Sequence, residues 1–262
     1  MIRALHSSAA GMNSQQMSLD VIANNLANVQ TTGFKKSKVE FQDLLYQSSR
    51  SAGSVQAGGS QLPTGIEVGH GSQAVATAKI FTTGELLQTG HKFDVAIEGD
   101  GFFQVTLPSG DTAYTRDGAF KVNSEGLLVT SDGLQLADQI NFPDGTTDVT
   151  IAPTGEVSAR PGADRELVQI GQLQLHRFRN PAGLDSLGRN LYGQTDASGE
   201  AVAGNPGAEG YGSLNQGALE KSNVKVIEEM VNMIIAQRAF EVNSKAIQTA
   251  DEMMNMTNNL RR

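Results

Sequence analysis

Apolar residues recur at every seventh position at both ends of the chain. Near the N-terminus Leu5, Met12, Leu19 and Leu26 form one row, and Ile2, Ala9, Gln16 and Ala23 fill the intervening heptad positions. Ile22 and Val29 widen the stripe, and the pattern predicts an amphipathic helix over residues 2–29. β-Branched Thr31-Thr32 and then Gly33 end it. At the other end Val226, Met233, Phe240, Ile247 and Met254 keep the same period, with Ile235, Val242, Ala246, Met253 and Leu260 on a neighbouring face. This predicts a longer helix over 223–260, with Ser222-Asn223 as N-cap and Glu228-Glu229 near the positive end of its dipole. At 1.5 Å per residue the two helices would be roughly 40 Å and 60 Å long. A simple hairpin would cover one side of each helix. The stripes are wider than that, which favours packing against other molecules over a closed intrachain bundle.

Between the helices the period changes to that of strands. Asp94-Val95-Ala96-Ile97, Phe102-Phe103-Gln104-Val105, Ala119-Phe120-Lys121-Val122 and Leu127-Leu128-Val129 are short apolar runs. Gly99-Asp100-Gly101, Ser109-Gly110-Asp111, Asn123-Ser124-Glu125-Gly126 and Ser131-Asp132-Gly133 separate them as turns. Strand patterns continue to about residue 178, and a Gly/Ala/Asn-rich region follows to about 217. The expected class is therefore α+β: long terminal helices around a central antiparallel β-rich domain. The segments are 1–33 as the first helix, 34–78 as a connecting region, 79–212 as the β domain, 213–222 as a return connection, and 223–262 as the last helix. Within the connection, residues 48–62 have the Gly/Ser composition of a flexible linker.

Composition sharpens this division. All 7 prolines lie between Pro63 and Pro206, and of 29 glycines only Gly11 falls within 1–32 and none within 218–262. The formal charge of −8 falls wholly on residues 35–218, because the ends carry equal numbers of each sign. Such a balance disfavours non-specific nucleic-acid binding and attraction to anionic membranes. No apolar run reaches the ~18 residues of a membrane span, and the first residues lack the apolar stretch of a cleavable signal peptide.

Candidate chemistry is sparse. With no cysteine, the chain has no disulfide, thiolate metal site or cysteine nucleophile. His6, His70, His91 and His176 are scattered, with no pair at ligand spacing on one helix, so no metal or cofactor is expected. Gly99-Asp100-Gly101 opens like a dinucleotide loop, but Gln104 and the absence of a following helix make it a turn. The Asp-Gly pairs at 100–101, 117–118, 132–133 and 144–145 lack calcium-loop spacing and read as hairpin turns. Lys35, Lys36 and Lys38 form a small basic cluster, read as a solvated turn or subunit contact. No serine elbow or distinguished carboxylate pair supports catalysis, so the chain is not expected to be an enzyme.

Three stretches, in order, resemble the flagellar rod and hook axial protein family. The first runs from Val21 to Phe34 and contains Asn25, Asn28, Gly33 and Phe34. The second comprises Asp94–Phe103 and Tyr114–Phe120. The third comprises Gly217–Val224 and Gln237–Lys245, with Gln237, Arg238 and Asn243. Together they span nearly the whole chain. Asp43–Gln47, the insert at 48–62, Pro63–Gly69, Gly171–Leu173 and Asn180–Gly188 resemble the branch of the family that builds the distal rod, with a proximal rod or hook subunit as the alternative.

The resemblance implies a structural subunit, exported unfolded without a cleaved signal, that polymerises helically into a drive shaft crossing the periplasm. It implies that Leu5, Met12, Leu19 and Leu26, with Val226, Met233, Phe240, Ile247 and Met254, pack between subunits as a coiled-coil-like core. The implied partners are further copies of the chain, proximal rod proteins, the hook protein, the surrounding periplasmic and outer-membrane rings, and the flagellar export apparatus. Nucleic acid and direct membrane insertion are not implied. A secreted β-domain hydrolase or carbohydrate binder with helical ends is the rival from another class. Loss of polymerisation on trimming the ends, rather than persistence of an activity, separates the two.

Overall fold

The computed structural model describes residues 2–50, 53, 63–143, 145–162 and 167–259. It is α+β, with one long helix at each end and antiparallel β structure between them. The chain divides into two compact units. One comprises residues 1–26, 37–78 and 225–262; the other comprises 27–36 and 79–224.

The helical unit is built on α1 (Ile2–Ala27) and α2 (Val226–Asn259). At Gly11 of α1 a Cβ would lie 2.9 Å from Asn243 Nδ2 of α2, so glycine lets the helices approach closely. Asn25 Nδ2 donates to Glu229 Oε2 at 3.4 Å. These two contacts are equally spaced along both helices, so the pair runs antiparallel in constant register. Glu229, Ala236 and Ala250 are the most buried positions of α2, and they share the seven-residue spacing of Asn243. The seam of this hairpin is thus made of small and polar side chains.

Strand Ser37–Asp43 pairs with Ser72–Lys79, and Tyr46–Arg50 forms an antiparallel pair with Ile66–Gly69. Ser14 Oγ of α1 donates to the Ser72 carbonyl at 3.2 Å, fixing the first pair to the helix. Of the insert at 48–62, the described residues are 48–50, which complete the strand Tyr46–Arg50, and 53. The expectation of a flexible linker falls otherwise outside the described residues.

The β unit holds the main core. A seven-stranded antiparallel sheet runs Asp185–Gly188, Leu191–Gly193, Thr112–Thr115, Phe103–Thr106, Gln135–Leu136, Leu128–Val129 and Lys121–Val122. A three-stranded sheet (Thr146–Ile151, Glu156–Pro161, Val168–Gln172) joins it, and Val95–Glu98 pairs with Ser213–Gln216. Val95, Ile97, Phe103, Val105, Leu136 and Val157 are fully buried within one cluster. A second cluster is aromatic, with Phe102, Tyr114, Phe178 and Tyr192 meeting edge to face. Four expected runs are found as strands, at Val95–Glu98, Phe103–Thr106, Lys121–Val122 and Leu128–Val129.

Two local expectations are corrected. Asp117-Gly118 is not a hairpin turn: a Cβ on Gly118 would fall 1.7 Å from the Val95 carbonyl oxygen, and Asp117 accepts from Thr32 Oγ1 at 3.0 Å. Ser222-Asn223 does not cap α2. The first helical bond runs from Glu229 N to the Lys225 carbonyl, while Asn223 spends its side chain on other segments of the β unit.

Candidate assembly interface

A helix pair whose mutual seam is small and polar must place its large apolar side chains elsewhere. On α2 these are Ile227, Met230, Val231, Ile234, Ile235, Val242, Met253 and Met256, all exposed. Ile227 is 80% exposed and Val242 65%, values unusual for aliphatic residues on a helix this long. The heptad row lies between seam and surface. Met233, Ile247 and Met254 are half-buried, while Val226 and Phe240 are each 37% exposed. On α1, Leu5, Met12, Leu19 and Leu26 are all half-buried. The row therefore contributes to neither a closed core nor a solvated face.

The motif residues fall into two groups. Asn25 is buried: its Nδ2 donates to the Ser37 carbonyl and its Oδ1 accepts from Ser37 N, both at 2.9 Å. Asn28 Oδ1 accepts from Thr31 Oγ1 at 3.2 Å, within the turns that end α1. Gly33 has φ of 66°, and a Cβ there would lie 2.7 Å from Asp117 N, so glycine is required both by conformation and by space. Phe34 is buried beneath the Lys79 ammonium, 5.2 Å from its ring centroid. Asn243 meets Gly11 in the helix seam. By contrast Gln237 and Arg238 are exposed, and Arg238 Nη1 pairs with Glu241 Oε2 one turn along at 3.1 Å. The first group organises the fold, and the second faces outward.

Behind the N-terminal motif lies a polar knot that sequence reading missed. Lys35 Nζ donates to Glu220 Oε1 at 2.5 Å and to the Thr82 carbonyl at 2.8 Å. Arg116 Nη1 lies 3.6 Å from Glu220 Oε2 and donates to the Gly99 carbonyl at 2.8 Å. All three charged side chains are essentially inaccessible. Burial lowers the Lys35 pKa, the Arg116 charge lowers it further, and Glu220 opposes both. Burial likewise lowers Arg116, against the pull of Glu220. Lys35 is thus no solvated turn or subunit contact: it is the most deeply buried cation of the basic cluster. In the sequence Lys35 directly follows the first motif, while Arg116 and Glu220 lie within Tyr114–Phe120 and Gly217–Val224.

Among the described residues no cluster of three or more His, Asp or Glu could hold a metal ion. No described helix is long and apolar enough to cross a membrane. Three family models match in chain order: "Flagella basal body rod protein" over residues 5–35, "Flagellar hook protein FlgE/F/G D1 domain" over 96–159, and "Flagellar basal body rod FlgEFG protein C-terminal" over 215–260. The flagellar basal-body rod protein FlgG of Borreliella burgdorferi is 50% identical over 100% of both chains. That of Agrobacterium fabrum is 48% identical over 96% of this chain and 97% of its own. That of Bacillus subtilis is 40% identical over 100% of both. With matching models at both ends and in the β unit, and with such identity along its whole length, the chain belongs to the family of flagellar basal-body rod proteins.

Proposed function

We propose that the chain is a structural subunit of the distal rod, polymerising helically into the shaft that carries motor torque to the hook. Its helical unit packs against further copies, while the acidic β unit stays solvated and faces the surrounding rings. Proximal rod proteins adjoin the polymer at one end and hook protein at the other. The subunit reaches this place through the flagellar export apparatus and stands in the periplasm without entering a membrane. It catalyses no reaction.

The observation that carries this reading is the exposed apolar face of α2. Burying Ile227, Ile234, Ile235 and Val242 against neighbouring helices would each gain roughly 1–3 kcal/mol, at about 25 cal/mol per Å² of apolar surface. Left in water, the same face invites aggregation. Heptad rows that are half-covered within the chain become fully covered once other copies supply the missing sides.

Ile234→Asp tests this directly, because Ile234 is exposed in the single subunit and its replacement costs the fold little. In an interface the same carboxylate would be buried without a partner, at several kcal/mol. Phe240→Asp makes the same test on the heptad row. Both variants should keep the circular-dichroism spectrum and thermal transition of the β unit and form no rods by electron microscopy. Rods of normal length and number from Ile234→Asp would show that the face is not a subunit contact.

A further inference from the structure

Within the acidic β unit there is one place where the sign of the charge reverses. A cavity of about 280 Å³ is lined there by Phe102, Phe178, Arg116, Arg177, Arg179 and Asp100. Three cations thus face one anion, although residues 35–218 carry the chain's whole formal charge of −8.

Arg116 is the buried member of this lining. It belongs to the polar knot, where it and Lys35 share the single carboxylate of Glu220, and its Cζ lies 5.3 Å from the Phe102 ring centroid. Its Nη1 is spent on the Gly99 carbonyl, and its Nε is buried with no hydrogen-bond partner. Asp100 attracts both Lys35 and Arg116 through space, but it is exposed, so solvent screens it. Arg177 and Arg179 are also exposed, and among the described residues neither stands in an ion pair. Arg177 Nη1 donates only to the Gly210 carbonyl, at 3.2 Å. Guanidinium groups present paired donors that match a carboxylate, and aromatic rings beside them shelter a short apolar stem.

We propose that this cavity is a carboxylate site whose occupant is an acidic side chain from the β unit of a second copy of the chain. Copies with a large like charge repel one another when packed side by side. A cationic pocket that takes an acidic knob turns part of that repulsion into attraction. Knob and pocket are different parts of the surface, so the contact is head-to-tail, the kind that repeats into a helical polymer. That a polymer results rests on the rod reading, but the carboxylate site does not.

Glutarate, a dicarboxylate on a short apolar stem, probes the site in the isotope-labelled soluble subunit. The amides of Gly101 and Gly210, which line the cavity, should shift saturably, while Ser158 in the three-stranded sheet stays in place. Arg177→Gln combined with Arg179→Gln should weaken this binding about tenfold or more. Both residues are exposed, so the thermal transition of the β unit should be kept. Arg179→Glu should raise the concentration needed for rods about tenfold. Sodium glutarate should raise the wild-type threshold further than sodium chloride of equal ionic strength.

Absence of saturable shifts at Gly101 and Gly210 would overturn the site. Glutarate or inorganic phosphate that binds there without moving the threshold, with Arg179→Glu polymerising normally, would overturn the second copy as occupant and leave a site for free anions. If the wild type forms no rods, sedimentation velocity of the soluble subunit decides. Association that glutarate reverses would then keep the contact and reject the rod reading, and a strict monomer would reject both.

Discussion

The two units bury opposite kinds of residue. In the β unit the interior is filled by Val95, Ile97, Phe103, Leu136 and Val157, and even its buried charges, Lys35, Arg116 and Glu220, find one another. On the two helices of the helical unit the buried positions are Ser14, Asn25, Glu229, Ala236 and Ala250, while Ile227, Ile234, Ile235 and Val242 face water. The first unit has buried a continuous hydrophobic core. The helices of the second leave these large apolar side chains uncovered. A sheet closes on itself by pairing strands, but two helices can cover only one side of each other. The β unit thus holds its core within one chain, whereas the helical unit would gain its main stabilisation from the proposed assembly.

The largest effect should come from breaking the knot of the self-sufficient unit. Glu220→Ala leaves Lys35 and Arg116 buried together with no anion between them. Removing one partner of such a group costs about 3–5 kcal/mol. Urea unfolding followed by tyrosine fluorescence should register a loss of this size. Replacing Lys35 with Met, Arg116 with Met and Glu220 with Leu together should restore much of it, since a well-packed apolar set avoids the desolvation cost. A loss under 1 kcal/mol in Glu220→Ala would mean that water reaches the knot and that the β unit is less closed than its burial indicates.

The two units also differ in how legible they are in the sequence. Seven-residue rows announce both helices, and short apolar runs between Gly and Asp turns announce the strands, because each pattern is local. The polar knot is not legible in the same way. Lys35, Arg116 and Glu220 lie far apart in sequence, and nothing local distinguishes a lysine that will be buried from one in a solvated cluster. Ser-Asn before an apolar run usually caps a helix, yet here the Asn223 amide is claimed by Lys36 and Ile80. Asp117-Gly118 has the composition of a turn, although it is the close approach of Val95 that requires its glycine. The heptad rows reveal which residues are apolar. That the hairpin seam is instead Gly11, Ala236, Asn243 and Ala250 depends on how closely two backbones can approach.

A smaller effect should distinguish the units by pH. His176 is buried in the β unit beside Tyr114, with ring centroids 5.6 Å apart, and burial lowers its pKa below the usual 6.5. The folded state therefore favours the neutral ring, and the unfolded chain binds the proton more readily. The resulting stability is present above about pH 6.5 and is lost as pH falls below that value, by at most about 1.4 kcal/mol per pH unit. Thermal melts of the β unit between pH 7.5 and 5 should show this slope, and His176→Leu should flatten it. An unchanged slope in His176→Leu would place the titrating group elsewhere.

The smallest effect on folding should come from Arg238, and it bears most directly on assembly. Its guanidinium is 77% exposed, and its partner Glu241, one turn along, is 54% exposed. Exposed pairs of this kind contribute about 0.3–0.5 kcal/mol. Arg238→Ala should therefore change the stability of the subunit by less than about 0.5 kcal/mol. Yet Arg238 stands in one of the three motifs and shares its outward position with Gln237. If the apolar face of α2 meets neighbouring helices, these polar residues border that contact, and a guanidinium there can form two parallel hydrogen bonds to a carboxylate or backbone carbonyls. Arg238→Ala should accordingly raise the concentration needed for polymerisation several-fold, whereas Arg238→Lys should recover only part of the loss, because lysine lacks the fork. Sedimentation of rods against subunit concentration measures this. Equal thresholds for wild type and Arg238→Ala would remove the motif's outward residues from the interface and leave its apolar neighbours to form it alone.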